Sequence, residues 1–459
     1  MHQVYLSDAK KGISQRKVLY YRHFSPHEQS RLFMGHPLCL EPDFAILGAG
    51  VAGLWLANLL QNQGYTVTVF DKQGTGGTQT LASQGMIHGG MKYTLSGSFT
   101  QASQTIADMP KQWRSCLCSE GDVDLSHTRI LSDHFFLWST ASVTSKLATF
   151  LASKLTRGRV TPMTDRERPP LMRHKDFNGH LYKLDDLVID TKSLMANLAH
   201  NLTIPVYLLP EHARLRQENQ QAYLDLDTLT IKPSRLICCA GEGNAALLNQ
   251  LGLTAPAMQR RPLKQVLVKQ NFPFEFFGHC LGADPTPRLT ISSHRLPHGD
   301  SVWYLGGSLA EKGATLNDDE LIALAQHELK SLIPWLDLDG AEWSTLPINR
   351  AEPQQPKNAR PDDAFLEQTS LANLWVAWPT KLTLVPNFKA MAQKLLDKHP
   401  IVRDSAIKRR ATASELKNLL HHHCSFAELT KMPWELAFPP EEAEEDRLRR
   451  VLLNNRDEE

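Results

Sequence analysis

The residues of this sequence whose spacing most directly implies chemistry are three glycines in G-x-G-x-x-G, Gly48, Gly50 and Gly53. The first permits a tight turn, the second lets a diphosphate approach the backbone, and the third lets a helix and a strand pack closely. The helix they open, with Val51 and Ala52 in its first turn, would aim free N–H groups and about half a positive charge at the phosphates. Asp71, followed by Lys72, comes 18 residues after Gly53, where a carboxylate can accept hydrogen bonds from an adenosine ribose. A glycine-rich turn that binds nothing is the alternative; strand, helix and acid standing in register argue against it. NAD and FAD share this fingerprint, so these residues leave the choice of dinucleotide open.

A strand, a turn and a second strand have to hold those groups, and they follow in order. Phe44 to Leu47 is an apolar run that reads as a buried strand, Val51 to Gln63 carries Leu54, Ala57 and Leu60 at helical spacing, and Thr66 to Phe70 is β-branched. The next stretch, GTGGTQTLASQGMIHGGMKYTLSG, suits a buried loop, because glycine lets backbone lie close to a ligand. A helix is predicted over Gln101 to Trp113. Strands and helices alternate again from LDDLVIDTKSLMANLAHNL to SRLICCAGEGNAALLNQLG. Between Pro262 and Gly307 the pattern turns to β structure, with PLKQVLVKQ, PRLTISSH and DSVWYLGG set off by proline and glycine turns. Asn317 to Ile333 reads as a helix, NLWVAWP as a strand, and Pro386 to Leu396 as a helix with proline in its first turn. The chain ends in a charged segment, EEAEEDRLRR to NRDEE, that reads as a solvated helix or tail.

Three later segments decide between the dinucleotides: SQGMIHGGMKY from Ser83 to Tyr93, the pair LVIDTKSLMANLA and LICCAGEGNAALL, and WPTKLTLVPNFKAMAQ. In them the sequence resembles the FAD-dependent oxidoreductase superfamily that includes D-amino-acid oxidase, glycine oxidase, glycerol-3-phosphate dehydrogenase and L-2-hydroxyglutarate oxidase. The resemblance implies contact with FAD from Ser83, Gln84, Gly85, Met86, His88 and Gly89, from Gly241 at the end of a returning strand, and from Lys381, Leu382 and Thr383 at the flavin pyrimidine edge. The chain has Ala82 where many relatives have arginine, and NRAEP, followed by ARPDDAF, where they have G-L-R-P. The resemblance therefore carries the cofactor and leaves the substrate open.

The fold it implies is α/β. A Rossmann-type FAD-binding domain is built from discontinuous segments, 43–98, 181–258 and 336–400, with an inserted β-rich substrate domain from 99–180 and 259–335. An N-terminal extension, 1–42, and a helical, charged C-terminal extension, 401–459, flank them. The implied activity is that of an oxidase or dehydrogenase removing a hydride from a small polar, anionic substrate to flavin N5. An amino acid or amine, a 2-hydroxy acid and a polyol phosphate all qualify, with oxygen, a quinone or another carrier as electron acceptor. Two other readings stand beside it: a non-catalytic FAD-binding subunit that docks a partner through its extensions, and a flavin-dependent tRNA-modifying protein.

His88 is a candidate acid–base group, because alcohol oxidation requires loss of a hydroxyl proton and imidazole titrates near neutrality. Its alternative role is only to hydrogen-bond the flavin or nearby backbone. Lys381 is a candidate partner for negative charge on the reduced flavin, or a lysine capping a loop. Arg350 can bind a carboxylate or phosphate in bidentate fashion, or form a plain ion pair with Glu352; Arg360 is a second choice. His421, His422, His423 and Cys424 do not read as a metal site, since contiguous helical residues point in different directions. Cys116 and Cys118 have the wrong spacing for a redox pair, Cys238 and Cys239 lie in an apolar strand, and Trp303 and Tyr304 suit a core or pocket wall.

Composition bounds these readings. Fifty basic residues against 49 acidic leave a net charge of +1, which provides no global field for nucleic acid or an anionic membrane. The seven irregularly spaced cysteines fit reduced thiols and a cytoplasmic chain. No apolar run reaches the ~18 to 20 residues needed to cross a bilayer, which leaves at most peripheral membrane contact. A small molecule is the expected partner.

Overall fold

A computed structural model describes residues 38–90, 106–140, 160–227, 229–282, 286–296, 299–401 and 412–439, together with the backbone of two short strands, Gln3–Leu6 and Lys17–Tyr20. The apolar runs assemble into a six-stranded sheet in the order Val206–Leu208, Val67–Asp71, Phe44–Leu47, Arg235–Cys238, Leu374–Trp378 and Phe365–Gln368. All neighbours are parallel except the last pair. Phe44–Leu47 and Leu374–Trp378 are buried throughout, as strands covered on both faces must be. The helix Val51–Asn62 buries its first ten residues, which explains why its apolar pattern runs nearly all round.

The second large layer is an eight-stranded sheet, ordered Glu342–Pro353, Met258–Gln270, Ser301–Gly306, Leu289–Arg295, Gly278–Cys280, Phe135–Ser139, His180–Leu184 and Val160–Pro162. Two of these strands fall within spans that the sequence grouped with the FAD segments. Glu342–Pro353 pairs antiparallel with Met258–Gln270 from Met258↔Pro353 to Lys269↔Glu342, and His180–Leu184 pairs with Phe135–Ser139. Antiparallel partners this far apart in the chain leave no local signal, so the boundaries drawn from sequence miss them.

One face of this sheet is apolar. Val266, Val268, Leu289, Ile291, Trp303 and Leu305 pack there against Leu321, Ala325 and Leu329 of the helix Asp318–Leu332. That helix starts at a capping box in which Asn317 accepts from the Glu320 amide and Glu320 accepts from the Asn317 amide. The opposite face is turned toward the six-stranded sheet.

Three expected elements differ in detail. The helix predicted from Gln101 is observed as Met109–Leu117, with 91–105 outside the described residues. The helix expected from Pro386 begins at Phe388, because Pro386 lies in a tight 3-10 turn, Leu382–Asn387, that its missing amide hydrogen does not disturb. The helical extension expected over 401–459 is described over 412–439, where it is docked on the fold: Ala413–His423 buries Leu416 and Leu420, and Met432 and Trp434 are buried in turn. The charged run beyond them, and residues 1–37 apart from the two strands, lie outside the described residues. Among the described residues no helix is long and apolar enough to cross a membrane.

Candidate active site

Parallel strands end at the same edge of their sheet, and that edge is where Gly48, Gly50, Gly241 and the turn after Trp378 come together. The glycines there divide into two kinds. A Cβ on Gly53 would lie 1.9 Å from the Gly48 carbonyl oxygen, and one on Gly48, already at φ +112°, would lie 2.4 Å from the Cys239 carbonyl oxygen. These two are required by the turn itself. A Cβ on Gly50 would meet only the Thr80 hydroxyl, at 3.3 Å; one on Gly77 nothing nearer than 3.7 Å; one on Gly241 only Gln79 Oε1, at 3.9 Å. These three instead leave an open cradle beside the amino end of Val51–Asn62.

Asp71 binds the same turn. Its Oδ2 accepts from the Ala49 amide at 2.7 Å and its Oδ1 from the Gln73 and Gly74 amides at 2.8 and 3.2 Å. A carboxylate has about four lone-pair positions, so loop clamping and a ribose contact are compatible. Lys72 beside it is exposed. Thr80, which the sequence reading overlooked, accepts from the Val51 amide at 3.1 Å and so fixes the following loop against the helix.

That loop leads into Ser83–Gly89. Gly85, at φ +68°, lies so close to the strand Leu187–Ile189 that a Cβ would fall 2.0 Å from the Ile189 carbonyl oxygen. Gly89 donates to Asp186 Oδ1 at 2.9 Å, Ser83 Oγ accepts from Gly85, and Met86 packs against the Phe135 and Leu137 cluster. His88 is buried, and its amide donates to the Thr383 hydroxyl at 3.4 Å. Thr383 also accepts from Trp113 Nε1 through its carbonyl, at 3.1 Å. The two segments expected at the flavin ring, 83–89 and 381–383, are therefore in direct contact. Thr380 before them holds φ +58°, a left-handed conformation that costs a non-glycine residue of order 1 kcal/mol and is retained here because its hydroxyl bonds the Asp363 carbonyl at 2.9 Å. Lys381 and Leu382 are half-buried just beyond this turn.

The Gln84 side chain is engaged by the large sheet. Its Nε2 donates to the carbonyls of Tyr304 at 3.0 Å and Thr290 at 3.5 Å, so the side chain braces the segment against the large sheet and only its backbone remains to face a cofactor. The sheet face it touches is unusual. Pairing and alternation put Gln265, Thr290, Ser292, His279, His294 and Tyr304 on that face, all buried. The other face of the same strands is mainly apolar, with Ser293 and Ser301 among its buried residues. The Tyr304 hydroxyl and Gln265 Oε1 have no hydrogen-bond partner among the described residues. Burying polar atoms without partners costs free energy, so a stretch of them implies something polar that belongs there. His279 Nδ1 lies 2.8 Å from the Thr290 hydroxyl. Burial, with a smaller push from Arg129, lowers His294 to about 3, which keeps it neutral; burial, then the charge of Glu435, holds the Tyr304 phenol well above its ordinary value and therefore protonated. Of these, only Tyr304 is singled out from the sequence, as suited to a core or pocket wall. The others' one visible signal was the run of polar residues alternating with apolar ones in LTISSHR.

Arg350 lies farther along the same face, paired with Arg261 across the sheet. The expected Glu352 ion pair belongs instead to Arg261, bidentate at 2.6 and 2.7 Å, with Glu352 fully buried. Arg350 keeps a looser contact with Glu311 at 3.7 Å, and Arg360 shares that carboxylate. Three guanidinium groups thus surround two carboxylates. Burial, followed by repulsion from Arg261 and Arg360, brings Arg350 down to about 10, and it stays charged at neutral pH with little to neutralise it.

A family model for FAD-dependent oxidoreductases of the D-amino-acid oxidase type matches residues 43–377. The chain belongs to that family. It is 44% identical over 353 residues to a probable FAD-dependent oxidoreductase of Pseudomonas aeruginosa, covering 77% of this chain and 90% of the relative. The crystal structure of an FAD-dependent oxidoreductase from Pseudomonas aeruginosa superposes with a TM-score of 0.72 at 37% identity, over 88% of this chain and all of the other. At 18% identity, glycine oxidase from Geobacillus kaustophilus shares the fold, with a TM-score of 0.57 over 81% of this chain and all of that one. Iminodiacetate oxidase from Chelativorans does so at 15% identity, with a TM-score of 0.56 over 84% of this chain and all of that one. An FAD-dependent oxidoreductase must accommodate a diphosphate and a large planar ring. The side-chain-free cradle at Gly50, Gly77 and Gly241 fits the first, and the partnerless polar atoms beyond Gln84 fit a site completed by a bound molecule.

Proposed function

We propose that this chain oxidises a small anionic amine or hydroxy acid, held between the Ser83–Gly89 segment and the polar face of the large sheet. FAD, when bound, supplies a two-electron acceptor at N5 for a hydride from the substrate C–H. In this reading Gly48, Gly50, Val51, Ala52 and Gly53 form the diphosphate cradle and Asp71 takes the ribose, with exposed Lys72 at its rim. Ser83, Gln84, Gly85, Met86, His88 and Gly89 line one side of the ring site, mostly through backbone. Gly241 borders the cradle, and Lys381, Leu382 and Thr383 close the pyrimidine end, where a cation and turn amides favour negative charge.

The polar face carries the proposal: six buried polar side chains share it, and two of their atoms, the Tyr304 hydroxyl and Gln265 Oε1, have no partner among the described residues, which suits a polar occupant. Arg350, half-buried and only loosely paired with Glu311, takes the substrate anion, and the protonated Tyr304 phenol is a donor for the same molecule. His88 accepts a proton when the substrate is an alcohol; a neutral amine makes smaller demands on it. Glycine oxidase and iminodiacetate oxidase, which share the fold, are named for substrates that set an amine near a carboxylate, which puts amines first among the classes to test.

The test is anaerobic mixing of the FAD-loaded protein with amino acids, N-substituted amino acids, 2-hydroxy acids and polyol phosphates, following loss of flavin absorbance. At least one class should bleach the flavin, and His88→Ala should slow the bleaching far more than it weakens FAD retention. If the flavin stays oxidised with every class, the substrate assignment is wrong. If the His88→Ala rates match wild type, His88 leaves the mechanism.

A further inference from the structure

The described part of the C-terminal extension runs into the site rather than away from it. Its path is fixed by backbone pairing: Ala427 donates to the Val206 carbonyl at 2.9 Å, and Leu208 donates to the Ser425 carbonyl at 2.8 Å. Thr75 donates to the Glu428 carbonyl at 2.7 Å, and Thr430 donates back to Thr75 at 2.9 Å. The segment thereby extends the edge of the six-stranded sheet and clamps the glycine loop behind Asp71. Beyond it Met432 is fully buried, and the short helix Pro433–Ala437 is tied to the rest of the fold by Glu435, 2.5 Å from Lys192 Nζ.

Trp434, in this helix, stacks on His294 with centroids 4.7 Å apart and planes at 27°, and meets Tyr304 edge-on at 5.5 Å. Both partners belong to the polar sheet face, and the Tyr304 hydroxyl has no hydrogen-bond partner among the described residues. An aromatic ring of this size, placed beside a donor that awaits an acceptor, limits what can lie against that donor.

We infer that Trp434 is a specificity-determining residue: the C-terminal strap delivers its indole as the end wall of the substrate site, where it caps the girth of the molecule that reaches Tyr304. This rests on the substrate site proposed above, and deepens it by assigning one wall to a segment outside the residues matched by the family model. The strap is also placed to couple cofactor and substrate, because the same chain that carries Trp434 clamps Thr75 in the dinucleotide loop.

The experiment uses the FAD-loaded full chain as wild type, Trp434→Ala and Trp434→Phe. Each is titrated with acetate, 3-methylbutanoate, benzoate and 2-naphthoate, and binding is read from the perturbation of flavin absorbance. Wild type should bind 2-naphthoate much more weakly than benzoate. Trp434→Ala should tighten 2-naphthoate at least tenfold while leaving acetate within twofold, with Trp434→Phe between. A size order unchanged in Trp434→Ala, or all four ligands shifted equally, overturns the role of Trp434 and leaves the oxidoreductase reading intact. Should Trp434→Ala not retain FAD, the smaller change decides: Trp434→Phe must tighten 2-naphthoate at least threefold, or the inference falls. A wild-type protein that holds FAD but responds to none of the four carboxylates removes the anionic-substrate reading and the specificity wall with it.

Discussion

The cradle at the amino end of Val51–Asn62 and the polar face of the large sheet, which the proposed function joins in one site, are built by opposite means. The cradle works through backbone, where its glycines matter because they present no side chain, and Asp71 and Thr80 hold amides in place. The sheet face presents side chains drawn from several strands, and Gln265, Thr290 and Tyr304 share it only because three strands pair. A cofactor shared by many enzymes needs only the first kind of contact; discrimination among substrates needs the second, because an unmet buried donor or acceptor penalises the wrong molecule.

The strongest way to break this comparison is to add one methyl group at each kind of glycine. Gly53→Ala places Cβ 1.9 Å from a backbone carbonyl that cannot move without opening the turn, and is expected to cost about 3 kcal/mol or more and to lose FAD through unfolding. Gly50→Ala meets only the Thr80 hydroxyl at 3.3 Å, so it should melt within about 1 kcal/mol of wild type yet bind FAD at least tenfold more weakly. Thermal melts of the apoprotein and FAD titrations separate the two. Equal melting of both variants would mean that the division between structural and cradle glycines is false.

On the other side of the site, Arg350→Lys should raise KM for an anionic substrate by roughly 30-fold or more, because a single ammonium cannot reproduce a bidentate fork and about 2 kcal/mol is lost. FAD content should not change. Arg350 sits at about 10 through burial and its arginine neighbours, so it stays protonated across the neutral range and the defect should be flat from pH 6 to 8.5. A defect equally large toward an uncharged substrate would move Arg350 out of anion recognition.

The same contrast explains what the sequence discloses. G-x-G-x-x-G, Asp71 and the small residues from Ser83 to Gly89 are legible because a backbone site fixes residue type at fixed spacing along one stretch of chain. The contact between His88 and Thr383 joins two such stretches, each of which the sequence assigns to the flavin separately. Gln265, His279, Thr290 and His294 are illegible because each is ordinary within its own strand and they gather on one face only through the register of four paired strands. Glu352 shows the same limit on a smaller scale: next but one to Arg350 in sequence, it pairs with Arg261 across the sheet. The docking of Trp434 was hidden by its charged surroundings, since a short run of Met, Pro and Trp in a polar tail does not say which surface it meets.

A finer test asks whether the polar face is as dry as its partnerless atoms imply. His294 is lowered from its ordinary value of 6.5 to about 3 by burial and Arg129, with Ser292 Oγ 3.1 Å from its Nε2 and Trp434 over its ring. A depressed value means that the unfolded chain takes up a proton below about 6.5 while the folded chain refuses it until about 3. Stability from this residue is therefore complete above that range and drains away as pH falls through it, by at most about 1.4 kcal/mol per pH unit. In urea melts, the gap between wild type and His294→Asn should consequently shrink by about 1 to 2 kcal/mol between pH 7.5 and pH 5, since other titrating groups act on both proteins alike. A gap that stays constant would mean that water or a counter-charge reaches the ring, and that this end of the face is a wet channel rather than the closed wall that the strap makes of it.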